Sequence, residues 1–255
     1  MVRGARPSPS RPWRRPARRA LRPVRLWWAA LTLAALSAPG AAEITAAQFA
    51  EPTTRYAHGV LGDAVEYGAL RLETRDGRSL LIRLPESRVF EDLAPRLADL
   101  DGDASPEVVV VESDAARGAR LSVYGEAGLI DATPFIGQPF RWLAPAGIAD
   151  LDGDGATEIA YVDRPHLARV LRIWRYAGGR LTEIARADGL TNHRIGDDFI
   201  SGGLRDCGDG PEILLATPDW SEIVAARLER GRIETRALGR PASERGFAAA
   251  RACTP

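Results

Sequence analysis

Two short stretches of the chain carry carboxylates spaced to hold a divalent cation. The first reads Asp99-Leu100-Asp101-Gly102-Asp103-Ala104-Ser105-Pro106-Glu107 and runs into Val108-Val109-Val110-Val111. The second reads Asp150-Leu151-Asp152-Gly153-Asp154-Gly155-Ala156-Thr157-Glu158 and runs into Ile159-Ala160-Tyr161-Val162. Each places acids at loop positions 1, 3, 5 and 9. In a tightly turning backbone, alternate side chains converge on one point, and a closing acid can supply two oxygens. The carbonyl at position 7, of Ser105 or Ala156, is a further oxygen ligand on this reading. Calcium suits such a flexible all-oxygen shell better than magnesium, which holds to an octahedron and keeps its water. An EF-hand is excluded, because its closing acid stands at position 12, where this chain has Val110 and Tyr161. Gly155 permits a left-handed turn that Ala104 resists, so the second loop is expected to bind the ion more tightly.

The residues that must position these loops are also alike. Apolar runs rich in Val, Ile and Tyr read as buried strands. For either copy alone, a polar turn with incidental acids is the alternative. Two copies 51 residues apart with matching flanks point instead to a repeat architecture.

The motif Asp-Leu-Asp-Gly-Asp-x-x-x-Glu followed by a Val/Ile strand resembles the FG-GAP repeat, also called the VCBS-type repeat. The resemblance covers about 99–112 and 150–163. The Phe-Gly and Gly-Ala-Pro signatures of that family are eroded here to Leu93-Ala94-Pro95 and Leu143-Ala144-Pro145-Ala146-Gly147. The resemblance implies a calcium-binding loop between two strands of a β-propeller blade.

Further along the chain the same period is fainter. Candidate blade-opening strands are Tyr56 to Leu61, Phe90 to Leu97, Phe140 to Ile148, Phe199 to Leu204 and Phe247 to Ala252. Candidate outer hairpins turn at Asp76-Gly77, near Gly125, at Gly178-Gly179 and near Gly231, each beside alternating apolar and polar residues. The expected fold is therefore all-β: a propeller-like domain of about four blades, with an irregular β-sandwich as the alternative. A third loop is degenerate. Aligning Glu212 with Glu158 puts Leu204, Asp206, Gly208 and Gly210 at positions 1, 3, 5 and 7, and no ion is expected there.

Residues 1–42 read as a signal peptide. The first 25 contain nine arginines and no acid, Leu26 to Leu36 is apolar apart from Thr32, and small residues lead to a cut after Ala42. About eleven apolar residues are too few to span a bilayer, so no transmembrane segment is expected after cleavage. The domain would then be 43–255, in a periplasmic or secreted protein. The whole chain balances 34 basic against 34 acidic residues, so removing nine arginines leaves the mature part at −9. Nucleic-acid binding, which depends on neutralising phosphates, is disfavoured. In an exported protein two cysteines usually pair, so Cys207 and Cys253 are expected to form a disulfide. The repeat alignment places them on neighbouring inner strands.

Catalytic signatures are absent: the chain has no Gly-x-Ser-x-Gly elbow, phosphate loop, His-Glu-x-x-His helix or dinucleotide fingerprint. Gly189 to Asp198 is the segment that stands out: His193 with a nearby Asp could serve acid–base chemistry, and the preferred reading is a solvated connection between blades stabilised by Asn192 and an Asp. His58, His166 and His193 are far apart in sequence, and spacing alone does not bring them together. Trp142, Trp174 and Trp220 either line a sugar or peptide groove or cap a blade core. The expected function is a calcium-binding interaction module with a protein or glycan ligand on the propeller face. The alternative is an exported hydrolase or lyase acting there on carbohydrate or lipid.

Overall fold

The computed structural model describes Met1 and residues 43–254; the expected signal peptide lies outside the described residues. The N-terminal part holds β1 (Ile44–Thr53), β2 (Glu66–Thr74), β3 (Ser79–Arg83) and β4 (Arg88–Phe90). The β2–β3 hairpin turns at the expected Asp76-Gly77, where Gly77 takes a φ of 83°. Tyr56 to Leu61, expected as a strand, forms turns and bends instead. Its Gly59 adopts a positive φ, which breaks an extended run.

Three up-and-down meanders follow. The first is β5 (Arg96–Ala98), β6 (Glu107–Asp114), β7 (Gly118–Gly125) and β8 (Gly128–Ala132). The second is β9 (Leu143–Ala149), β10 (Thr157–Asp163), β11 (Val170–Ala177) and β12 (Arg180–Asp188). The third is β13 (Gly203–Asp206), β14 (Pro211–Ala216), β15 (Ile223–Glu229) and β16 (Arg232–Ala237). The second and third are separate four-stranded sheets. The first shares an eight-stranded sheet with β1 to β4, because β4 pairs with β6. Every ladder is antiparallel, and none of the three sheets closes into a barrel.

The second strand of each meander explains the apolar runs. In β10, Ile159 and Tyr161 face one core, shared with Val109, Val111 and Leu121 of the first meander. Ala160 and Val162 face the opposite core, shared with Ile213, Leu215 and Val224 of the third. The same alternation holds in β6, where Val108 and Val110 pack with Leu70 and Phe90 while Val109 and Val111 point the other way. A strand buried on both faces loses the polar alternation of a surface strand. Each buried Val, Leu or Ile among them contributes roughly 1.5–3 kcal/mol. These continuous runs are therefore the main clamps between successive sheets.

The second and third sheets pack tightly at their first strands. Gly147 of β9 has no room for a side chain, since a Cβ there would lie 2.6 Å from the Leu204 side chain of β13.

Expected as a closing strand, the last segment is the helix α1 (Glu244–Arg251). Ser243 caps it by accepting from Gly246 N at 3.1 Å, Glu244 lies in its first turn and Arg251 in its last. Cap, end charges and an alanine-rich interior all favour helix. Phe247 and Ala250 bury against Leu214, Ile223 and Ala225, so α1 covers the outer face of the third sheet.

Candidate functional site

Both acidic loops join the first and second strands of a meander: 99–106 lies between β5 and β6, and 150–156 between β9 and β10. Their internal bonds match residue for residue. The position-1 carboxylate accepts from the backbone two and four residues past its neighbour: Asp99 from Gly102 N (2.8 Å) and Ala104 N (3.0 Å), Asp150 from Gly153 N (2.7 Å) and Gly155 N (2.9 Å). The position-9 acid accepts from position 2: Glu107 from Leu100 N at 3.0 Å and Glu158 from Leu151 N at 2.8 Å. As a result, carboxylate oxygens of Asp99, Asp101 and Glu107 lie within 4.8 Å of one another, as do those of Asp150, Asp152 and Glu158.

Asp103 and Asp154, also expected as ligands, are not in these trios. Each accepts instead from the backbone two residues on, Asp103 from Ser105 N at 2.7 Å and Asp154 from Ala156 N at 2.9 Å. Burial, with neighbouring aspartates, pushes the Glu107 carboxyl up from its ordinary value. Burial also raises Glu158, opposed by its bonds to Leu151 N and Arg175.

The two loops differ in their counter-charge. Arg175 of β11 stands opposite Glu158 in the ladder. Its guanidinium reaches Glu158 at 2.6 Å and both Asp152 and Asp154 at 2.8 Å. The matching place in the first meander is Gly125, one residue beyond the Val108–Tyr124 pair. No ion pair to Asp99, Asp101, Asp103 or Glu107 occurs among the described residues. In the degenerate third loop Arg227 takes the same place. There Glu212 is ringed by Arg205 (2.6 Å), Arg236 (3.0 Å) and Arg227 (3.3 Å). A cation thus enters both the intact second loop and the degenerate third, and among the described residues is missing only from the first. The expectation that Gly155 makes the second loop the tighter one omitted Arg175. Ala104 does adopt the left-handed turn, at φ 67°.

Of the three histidines, scattered in sequence, His58 and His166 line one cavity and His193 is buried behind His166. His166 Nε2 and His193 Nδ1 are 2.9 Å apart, and His193 Nε2 lies 3.0 Å from the Asp197 carbonyl. A carbonyl only accepts, so His193 donates from Nε2 and, when neutral, accepts at Nδ1 from His166. This fixes His166 with its proton on Nε2 and its lone pair on Nδ1. Burial, then the charge of His193, pushes His166 down to about 4, and burial also lowers His193, so both are neutral near pH 7.

On the other side, His58 Nδ1 lies 2.6 Å from Glu91 Oε1. Glu91 is fully buried, and its other oxygen accepts from the Ser113 hydroxyl. Burial pushes its carboxyl up, and the bond to His58 opposes that rise. A carboxylate fixing one imidazole nitrogen leaves the other directed away from it, the arrangement of an oriented acid–base or binding histidine. The three imidazoles do not close to metal spacing; among the described residues only the two acidic trios do.

One expectation needs correction here. Gly189 to Asp198 is not a wholly solvated connection: Leu190, Thr191, Asn192 and His193 are buried. Asn192 Nδ2 donates to the Ala144 and Pro145 carbonyls (3.3 and 3.1 Å), pinning the segment to β9. Trp142 and Trp174 are core residues, and Trp142 packs its ring 5.0 Å from that of His193. Trp220 is half-buried under the Arg194 guanidinium, 4.2 Å from its ring centre.

The disulfide forms as expected, joining Cys207 to Cys253 with Cα atoms 5.7 Å apart. Its setting differs from the expected pair of inner strands. Cys207 lies in the turn between β13 and β14, and Cys253 just past α1. No model of a known protein family matches the chain, and neither does any curated protein.

Proposed function

We propose that the chain is an exported, calcium-stabilised binding module of the FG-GAP/VCBS type, with its three meanders acting as propeller-like blades. One observation carries this reading. The same loop recurs between the first and second strands of successive meanders, and in two of them it gathers three carboxylates within 4.8 Å. Unneutralised, such acids repel and splay the strands they join; an ion bound there would cross-link the start of β6 or β10 to its neighbour. The role is structural, because the ligands are protein oxygens from one short loop. The disulfide suits an oxidising compartment, and no helix among the described residues is long and apolar enough to cross a membrane. The face formed by the inter-sheet connections would receive a protein or glycan ligand.

The test is native mass spectrometry with thermal melting in calcium and in chelator. Extracellular modules bind calcium at roughly 10⁻⁴–10⁻³ M. Millimolar calcium is then about one- to tenfold Kd and contributes about 0.4–1.4 kcal/mol per site, which should raise the melting temperature by a few degrees. Identical melts with no retained ion would sink the reading.

An exported hydrolase or lyase is the second reading. It is favoured by the gathering of His58, His166 and His193 beside a buried Glu91.

A further inference from the structure

We infer that the cavity between His58 and His166 binds a small monocarboxylate with an apolar body. The cavity measures ≈180 Å³. An apolar cavity of about 150 Å³ accommodates benzene, so this one fits a single ring or a chain of about six carbons.

Its walls are apolar, formed by Val60, Trp142 and Pro165. Its mouth is apolar as well. Phe140, Leu167 and Ile195 line it while remaining 46%, 63% and 80% exposed. Large apolar side chains held in water around one opening are the mark of a surface that is covered in use. Three of them occur here around a cavity that also contains fixed imidazoles.

The polar groups decide the class of ligand. Arg141 lines the cavity, and its guanidinium bonds only the Phe140 carbonyl at 2.9 Å, with no carboxylate partner among the described residues. Arg164, the other cation of the lining, is already held by Asp163 at 2.7 Å. No acid lines the cavity, and Glu91, behind His58, is bound by His58 and Ser113. An anionic head therefore meets one unpaired cation at the wall, where a cationic ligand would meet none of opposite charge. The imidazoles of His58 and His166 are each held by a bond on one nitrogen, which fixes the wall against the ligand body; the free Nδ1 of His166 carries a lone pair and does not donate to a carboxylate, so the head is held by Arg141. A few placed polar groups in an otherwise apolar concavity is the usual build of a small-molecule site. The inference does not depend on the acidic loops holding calcium.

The test is calorimetric titration of the purified chain with phenylacetate and hexanoate, and with phenylacetamide and hexanamide as uncharged copies of the same shape. Each titration is run in calcium and in chelator, so that a failure of the loops and a failure of the cavity are read separately. The acids should bind saturably at one site. The amides should bind about tenfold more weakly, the worth of one charge-assisted hydrogen bond. Arg141→Gln should bring the acids to the level of the amides. Leu167→Asp, which sets a like charge at the mouth, should weaken the acids further and leave the amides nearly unchanged. Both sites are at the surface, and circular dichroism checks that the variants fold. The inference is overturned if neither acid saturates, if acids and amides bind alike, or if both variants bind as the parent does. A peptide ending in Phe that binds far more tightly than phenylacetate, and loses this on C-terminal amidation, would also overturn it by assigning the cavity to protein C-termini.

Discussion

Arg175 on β11 lies directly across the ladder from Glu158 on β10, and its guanidinium spans Glu158, Asp152 and Asp154 at once. An internal cation thus does in the second loop what a bound ion would do, whereas Gly125 leaves the first loop without one. Substituting Arg175→Gln should destabilise the chain in chelator by about 1–3 kcal/mol, because the buried Glu158 loses its charged partner. Millimolar calcium should recover most of that loss. Melting curves with and without calcium measure both effects. A variant with the parent's calcium response would show that the second loop takes no ion even when vacated.

Ala104 sits at φ 67° in the first loop, and the equivalent Gly155 at φ 91°. A left-handed L-residue costs about 1–2 kcal/mol, partly offset by the lower unfolded-state entropy of alanine. Ala104→Gly should therefore raise stability by roughly 0.5–1 kcal/mol and tighten calcium binding at that loop. Gly155→Ala should do the reverse. Calcium titrations followed by melting compare the pair, and opposite signs from these would refute the argument.

The Cys207–Cys253 bond closes a loop with a sequence separation of 46. In the chain-entropy model this contributes about 4 kcal/mol. Cys253→Ser should lower stability by up to that amount, and its first local effect should be release of α1. Phe247 would leave the third sheet, exposing Leu214 and Ala225. Limited proteolysis should then cut near Arg240 to Arg245 before any other site. Uniform cleavage along the chain would show that the bond does not hold the helix specifically.

Burial, then the charges of Glu91, Asp63 and Asp92, pushes Glu66 up to about 9 from an ordinary 4.5. Between these values the folded chain keeps a proton that the unfolded chain releases, so stability falls as pH rises through that window. His166, depressed to about 4 from 6.5, acts in the opposite sense. Its contribution is complete above pH 6.5 and is lost as pH falls toward 4. The two oppose each other between 4.5 and 6.5, leaving a decline from 6.5 to 9. Glu66→Gln should reduce that decline by about 1 kcal/mol per pH unit. Denaturant melts at pH 6.5, 7.5 and 8.5 would reveal it, and an unchanged slope would remove Glu66 from the account.

Local chemistry was legible in the sequence where neighbours in the chain decide the outcome. The apolar runs after each acidic loop gave buried strands, the glycine turns gave the hairpins, and two cysteines gave one bond. The acid spacing pointed to four carboxylates, at positions 1, 3, 5 and 9, of which the loop brings those at 1, 3 and 9 together. Tertiary structure decided what depends on distant partners. Arg175 enters the second loop because strand register sets it opposite Glu158, and no spacing rule places a residue 17 positions away. Phe247 became helical because Ser243 caps the segment and the third sheet offered an uncovered apolar face. The histidines met because the Gly189–Asp198 segment folds inward, anchored by Asn192 on β9. That segment's polar residues suggest solvent to a reader of sequence alone. Buried polar groups are tolerated where the fold supplies their hydrogen-bond partners, and those partners come from 47 and 48 residues away.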